Sequence, residues 1–575
     1  MLQELWTPEG EYLKNNPEVQ PWNVYPRPQL RRSSYLNLNG EWYFDNIPNT
    51  PGAMGDYARR IRVPFCPESA LSGIGEHFPE GSKLCYLRGF ELPADFNRGR
   101  VILHVGAADQ KADVYLNGKE VGHHEGGYDA FSFDITDYLK EGINSLEIIC
   151  FDDLNNQSYP YGKQVKPEKR GGMWYTPVSG IWQTVWLESV PETYVKKLSI
   201  ENRGYSVNIS VEPALSGTVT VAELGSFPLV DGKVTISPEN PHLWSPEDPY
   251  LYDFSLEAGE DRIESYFAIR ALEIKKVGKY SRLCLNGKPY FFHGLLDQGY
   301  WPEGILTPPA PESYANDILA MKRLGFNTLR KHIKVEAEEF YYQCDRLGMI
   351  VWQDMVNNSD YNFLRDTGLP TVGIQTLPDK WLHRDQLHRS SFLLNAAKAV
   401  TQLRNHPSVC YWTIFNEAWG QFDSNEVYET FRGWDDTRFI DSTSGWFRRK
   451  KTDVDSRHVY FKKVELQADG LKPMVLSEFG GKTYKAEGHI FNPEKSYGYG
   501  GSETLEALNK QVAALYMDEI VPCIKNGLCA AIYTQVSDVE DEINGLLTYD
   551  RRLEKLSPEI MLPVAKALEN AIREG

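Results

Sequence analysis

The chain is short of the features that mark several functional classes. No apolar run approaches the roughly 18 residues needed to begin spanning a bilayer, so no membrane-spanning helix is expected. Positive charge is under-represented: 61 Lys and Arg against 79 Asp and Glu leave a net charge of −18. That field repels a phosphate backbone and argues against nucleic acid as a partner. Cysteine is sparse, with 8 in 575 residues, and none fall at CxxC or CxxCH spacing. Cys410 and Cys529 sit in apolar runs, so the set reads as small buried hydrophobes in a reduced compartment, not as a disulfide framework. There is no nucleotide-binding loop, zinc motif or EF-hand, and no internal repeat or low-complexity stretch. The opening Met1 to Trp6 lacks the basic and apolar segments of a secretory signal. A cytoplasmic location is therefore expected, with a leader trimmed from a longer precursor left open.

What is abundant is aromatic surface, with 14 Trp, 33 Tyr and 25 Phe. Such rings pack sandwich cores, and they also line sites for flat apolar faces edged with hydroxyls. The 41 % hydrophobic and 24 % charged residues are an ordinary core-forming composition, which excludes a disordered or collagenous chain. At roughly 150 residues per domain the length suits three or four domains.

The hydrophobic pattern changes twice. Up to residue 190 short strands are broken by Gly, Asn, Asp and Pro. Val101 to Val105 is an apolar run, Asp113 to Lys119 runs into the Asn117-Gly118 hairpin signal, and Phe131 to Ile135 and Asn144 to Cys150 alternate. This predicts a jelly-roll β-sandwich over 1–190. Residues 191–276 keep a two-residue period, as in Ser206 to Val211 and Gly217 to Val221, and predict an immunoglobulin-like β-sandwich. From 277 to 575 short apolar strands alternate with amphipathic segments at Tyr314 to Leu324, Glu336 to Leu347 and Ser391 to Leu403. That alternation predicts a (β/α)8 TIM barrel. Seven strands are clear, and an eighth is placed near Thr443 to Phe447.

Barrel enzymes work at the C-terminal ends of their strands. The polar residues that follow the apolar runs are Asp297, Arg330 with His332, Asp354, Glu417, Glu478, and Tyr533 with Thr534 and Gln535. Two glutamates on strands facing one mouth suit a general acid and a nucleophile, the pair glycoside hydrolysis needs. The alternative for any single strand-end acid is a cap on the following helix.

The run Leu403-Arg404-Asn405-His406-Pro407-Ser408-Val409-Cys410-Tyr411-Trp412-Thr413-Ile414-Phe415-Asn416-Glu417 resembles the acid/base signature of glycoside hydrolase family 2, which includes β-galactosidases, β-glucuronidases and β-mannosidases. Thr413 departs from the Gly or Ser usual there. Ser477-Glu478-Phe479-Gly480 resembles the family's nucleophile segment. Ser179 to Glu188 resembles the end of its jelly roll, and Gly325 to Arg330 its second barrel strand. The resemblance implies Glu417 as proton donor, Glu478 as nucleophile and Asn416 as the partner of the sugar 2-hydroxyl. It also places Arg330 and Tyr460 beside the nucleophile and Tyr533 as a sugar platform. Asp354, His332, and Asp297 and Trp301 in the loop 297–302 complete the expected substrate site. Because successive strand residues face opposite ways, Asn416 and Glu417 can both reach one sugar only if the backbone is irregular there.

The resemblance implies a retaining exo-glycosidase for β-linked sugars. The stretch Asp541 to Thr548 has no lysine, so a uronate would meet acids, and a neutral glycone, first a β-galactoside, is expected. The long β-galactosidase form is not expected, since this chain ends at the barrel. β-Glucuronides, β-mannosides and furanosides or arabinosides stay open, as does a carbohydrate-binding protein with an inactive barrel. The mechanism needs no cofactor; Mg²⁺ or Na⁺ occurs in some members, and no ligands for them can be assigned. The expected partner is a glycoside or oligosaccharide, and a homo-oligomer is left open. Lys163, Lys166, Lys169 and Arg170 form a basic loop read as a solvated charge run, with a reach toward the barrel mouth as the alternative.

Overall fold

The computed structural model describes residues 2–50, 55–374 and 377–574, so Met1 of the N-terminal reading lies outside the described residues. In the first unit, strands that alternate in burial, as Asn144–Phe151 does at every second residue, can bury one face only. They pair antiparallel into two main sheets, beside a short pair of Ala108–Asp109 with Gly180–Ile181. The larger runs Arg59–Val63, Gly40–Ile47, Lys83–Phe90, Asn144–Phe151, Lys111–Leu116, Lys119–Glu125; the smaller contains Val185–Val190, Arg100–Val105 and Phe131–Asp134. Trp42, Phe44, Tyr86, Leu103, Val114, Ile148 and Leu187 fill the space between. The Asn117-Gly118 turn has the positive φ of 53° and 77° that a two-residue hairpin needs, and it pairs Leu116 with Lys119.

The second unit is a smaller sandwich of three and four antiparallel strands around Ile200, Ile209, Val219, Leu256 and Phe267. A hairpin of Leu272–Val277 and Tyr280–Leu285 then closes the floor of the barrel. Its buried Arg282 donates to the carbonyls of Leu528 and Ile524, each at 2.9 Å.

The barrel strands are β1 Phe292–Asp297, β2 Thr328–Lys331, β3 Ile350–Asp354, β4 Val409–Asn416, β5 Phe439–Ser444, β6 Asp455–Val459, β7 Met474–Phe479 and β8 Leu528–Thr534. The fifth begins four residues before the strand placed at Thr443, because its sequence, Phe-Ile-Asp-Ser-Thr-Ser, is mostly polar and has no apolar run to announce it. Parallel ladders run from β5 back through β4, β3, β2 and β1, then on through β8 and β7 to β6. Among the described residues no ladder joins β5 to β6. The seam is spanned by Ser444 Oγ, 3.0 Å from His458 Nε2 and 3.4 Å from Ser456 Oγ. Nor does a helix lie between β5 and β6 or between β6 and β7 among the described residues, so the βα alternation is incomplete on that side. Trp352 stacks on Tyr411 at 4.0 Å inside the barrel, with Phe292, Val475 and Ile532 in the same buried cluster, so the interior is filled below the mouth.

Candidate active site

Each of the two glutamates lies at the end of a wholly buried strand. At β4 the strand breaks as expected: Glu417 and Ala418 have φ of 49° and 65°, a left-handed pair that costs non-glycine residues energy. The break lets Asn416 and Glu417 face the same mouth. The Glu417 amide donates to Ser444 O at 2.9 Å, which anchors the bend.

Arg330 on β2, fully buried, organises the floor of the mouth. Its Nε donates to Asp354 Oδ1 at 2.9 Å, Nη1 to Glu478 Oε1 and to Ser477 O, each at 3.0 Å, and Nη2 to Asn416 Oδ1 at 2.8 Å. One planar fork thus fixes the nucleophile candidate and the amide beside the acid candidate. Tyr460, just beyond β6, donates to Glu478 Oε2 at 2.7 Å and lies 2.8 Å from Thr534 Oγ1. Burial pushes the Glu478 carboxyl up, but the charges of His458, Arg330 and His332 and the Tyr460 hydroxyl outweigh it and bring the pKa down to about 2. Glu478 is therefore a carboxylate at neutral pH.

Asp354 acts through its neighbours. Burial raises its carboxyl, yet Arg330 and His332 hold it below the usual range. His332 Nδ1 stands 2.7 Å from Asp354 Oδ2, and burial keeps that imidazole below its ordinary pKa. Its bond is to Asp354; no hydrogen bond or ion pair joins it to either glutamate among the described residues. It orients Asp354, which orients Arg330.

Three expected residues are not brought to the glutamates. Asp297 pairs in register with Lys331, the neighbour of inward-facing Arg330, so both face away from the barrel axis. Its carboxylate bonds Lys331 Nζ at 2.7 Å, in a buried cluster with Glu336 and Lys334. Trp301 packs under the Arg551 guanidinium at 3.9 Å and against Tyr314, in the layer outside the strands. Tyr533 also points outward, accepting from the Lys482 amide at 2.9 Å and packing on Tyr516 and Phe479. Strand alternation gives the mouth to Thr534 instead.

The main residue missed from sequence is His458. Its Nδ1 is 2.7 Å from Glu417 Oε1 and 3.5 Å from Glu478 Oε2, and Arg330 Nη1 is 3.4 Å from its Nε2. The signal was present: His458 is two residues before Tyr460 and so shares its face. The aromatic wall was missed too. Trp174, from the first unit, meets Trp419 at 5.2 Å and Tyr361 at 5.0 Å, edge to face. Tyr499 stacks on Tyr460 at 4.1 Å.

The basic loop does not read as one solvated run. Lys169 is exposed, but Arg170 reaches the barrel and pairs with Glu540 and Asp541, each at 3.1 Å. Glu542 accepts from the Tyr175 hydroxyl. The acids after β8 are therefore engaged, not bare.

Glu417, His458 and Glu478 are the cluster among the described residues whose donor atoms could hold an ion, lying within 4.8 Å of one another. An imidazole with two carboxylates suits a zinc-like ion better than Mg²⁺ or Na⁺, which prefer oxygen shells.

A parallel barrel whose mouth sets an ionised, arginine-held glutamate beside a second glutamate, behind an aromatic wall, has the makings of a glycoside hydrolase. Family models for the glycosyl hydrolases family 2 TIM barrel domain and sugar binding domain match residues 276–556 and 75–191, and a third, glycosyl hydrolases family 2, matches 189–270. The chain belongs to glycoside hydrolase family 2. A β-galactosidase of Thermoanaerobacter pseudethanolicus is 24 % identical over 374 residues, 60 % of this chain and 46 % of that protein. A β-glucuronidase of Bacteroides fragilis is 25 % identical over 428 residues, 66 % and 56 % of the two chains. The chain spans about half the length of the curated relatives it matches. Among solved structures, a β-D-glucuronidase of Dictyoglomus thermophilum superposes with a TM-score of 0.70 at 18 % identity, covering 95 % and 98 % of the chains. A β-galacturonidase of Eisenbergiella tayi bound to galacturonate gives 0.66 at 19 %, covering 96 % and 99 %.

Proposed function

We propose that the protein is a retaining β-glycosidase acting on terminal sugars by double displacement. Glu478 attacks the anomeric carbon as the bond to the aglycone oxygen breaks, and Glu417 gives that oxygen its proton. Water then loses a proton to Glu417, adds to the same carbon and frees Glu478. The observation that carries this reading is the separation of the carboxylates: one oxygen of each lies within 4.8 Å of the other. Retaining pairs stand about 5–5.5 Å apart, and inverting pairs, which admit a water, about 6.5–9.5 Å. The rings of Trp174, Tyr361 and Trp419, packed edge to face, offer a sugar an aromatic wall and support a glycoside as substrate.

For the glycone, the relatives named β-galactosidase support galactose, and the solved β-glucuronidases and β-galacturonidases support a uronic acid. The acids after β8 do not weigh against a uronate, because Arg170 pairs with Glu540 and Asp541 and the Tyr175 hydroxyl donates to Glu542. Proton NMR of the first-formed sugar tests the reaction. Retained anomeric configuration is expected, and an inverted product would sink the double displacement.

A further inference from the structure

We propose that Lys163 is the carboxylate-binding group of the sugar pocket and that the sugar taken is a hexuronic acid. The inference rests on the glycosidase reading above and extends it to the substrate class.

Lys163 belongs to the first unit but is held in the barrel mouth. The amides of Tyr161 and Gly162 donate to Asn357 O at 3.1 and 3.2 Å, and the Tyr161 hydroxyl to Ser359 O at 2.6 Å. Gly162, at φ 63°, has its missing Cβ position 2.9 Å from Ile333 O, so only glycine permits this approach. The Tyr175 amide donates to Lys163 O at 3.1 Å and fixes the other side of the loop.

Lys163 is only 9 % exposed. Every other buried lysine or arginine among the described residues has its charge engaged. Arg330 meets Asp354 and Glu478, Lys331 meets Asp297 and Glu336, Lys334 meets Glu336, and Lys555 meets Asp538. Arg32 and Arg438 also pair with carboxylates, and Arg270 and Arg282 donate to carbonyls. The Lys163 ammonium has neither an ion pair nor a hydrogen bond among the described residues; its neighbour is the Trp174 ring, 5.8 Å away. Its charge bears on His332 and Glu542, which stand after β2 and β8 around the pocket.

An ammonium on a largely buried side chain, with no carboxylate beside it, draws an entering anion more strongly than one in open solvent. In a chain of net charge −18, general attraction for anions is absent, so a single placed cation has to supply it. The glycoside hydroxyls offer no charge; the C5 carboxylate of a uronic acid does. An acidic aglycone carries the same chemistry, and the substrates below separate the two.

The test uses the full chain and the nitrophenyl β-galacturonide, β-glucuronide, β-galactoside and β-glucoside, with a galactoside of a carboxylated phenol added. Uronides are expected to exceed their neutral counterparts in kcat/KM by roughly 100-fold or more, the scale of a desolvated charge-assisted contact. Lys163→Gln should lose about 100-fold on uronides, chiefly through KM, and at least about 30 times less on neutral glycosides, with Lys163→Arg recovering part of the loss. Equal losses on both classes, a neutral preference in the unmodified enzyme, or a gain seen only with the carboxylated phenol would each overturn the assignment. Calorimetric binding of free galacturonate and glucuronate, against galactose and glucose, gives the same comparison without turnover. If every substrate is inert yet the uronates bind through Lys163, it is the glycosidase reading that fails.

Discussion

His458 Nδ1 and Glu417 Oε1 are 2.7 Å apart, and the same nitrogen is 3.5 Å from Glu478 Oε2, so one imidazole touches both the proposed acid and the proposed nucleophile. The two glutamates are thereby tied to one ring, and the ring is tied through Nε2 to Ser444 across the barrel seam.

The pH behaviour follows from that contact. Glu478 is brought down to about 2, with the charge of His458 the first of the lowering influences. A carboxyl depressed in the folded state stabilises it above the unfolded pKa, and that contribution is lost as pH falls toward 2. The unmodified nucleophile should therefore stay ionised at all working pH. In His458→Gln the Glu478 pKa should rise, and the acid limb of kcat/KM should move to higher pH. An unmoved acid limb, measured on a dinitrophenyl glycoside that needs little protonation, would remove His458 from the account of Glu478.

The glutamates should fail differently. Glu478→Gln removes the nucleophile and should lower kcat on every substrate by roughly 10⁴-fold or more. Glu417→Gln keeps the nucleophile, so dinitrophenyl glycosides should still form the covalent intermediate, which then turns over slowly. Added azide should capture it as a glycosyl azide. Rescue of Glu478→Gln instead would reverse the roles.

Asn416 is held at 2.8 Å by the same guanidinium that holds Glu478. If its amide meets the sugar 2-hydroxyl as charge develops at C1, Asn416→Ala should lower kcat and kcat/KM together, by roughly 10² to 10³. The 2-deoxy substrate should show a similar loss with the unmodified enzyme and little further loss with the variant. Losses that add fully would mean the two do not touch.

Zinc should inhibit. Glu417, His458 and Glu478 present donors within 4.8 Å of one another, and an ion there would tie up both carboxylates of the proposed pair. Inhibition should be competitive with substrate, be reversed by a chelator, and weaken at least tenfold in His458→Gln, since one of three ligands is gone. Zinc that inhibits the variant equally binds elsewhere.

Most of the architecture was legible because strands and helices announce themselves by period. Residues 144–150, 206–211 and 409–415 were placed on strands from alternation or apolar runs alone. β5 was misplaced because its last four residues are polar; the last of them, Ser444, spans the seam. The glutamates and Arg330 were legible as polar residues after apolar runs, and Tyr460 only through the family resemblance. Asp297 and Tyr533 satisfy the same rule but face outward, Asp297 with Lys331 while Tyr533 yields to Thr534, and Trp301, expected from its loop, packs against Arg551 and Tyr314. His458 was readable by parity from Tyr460. The engagement of Arg170 with Glu540 and Asp541 spans some 370 positions, and no local pattern reports such a pairing.

The barrel is, in its hydrogen bonding, a ribbon of eight strands whose loose ends are β5 and β6. The clasp that draws those ends together is made of Ser444, Ser456 and His458, and His458 also grips Glu417. The placing of the glutamate pair and the closure of the barrel are therefore one fastening. Opening of the ribbon would begin where the chemistry sits, and a bound sugar that steadies Glu417 and Glu478 would latch the whole ring. Amide exchange in β5 and β6 should then slow on binding while that of β1 to β3, whose ladders are continuous on both sides, stays as it was.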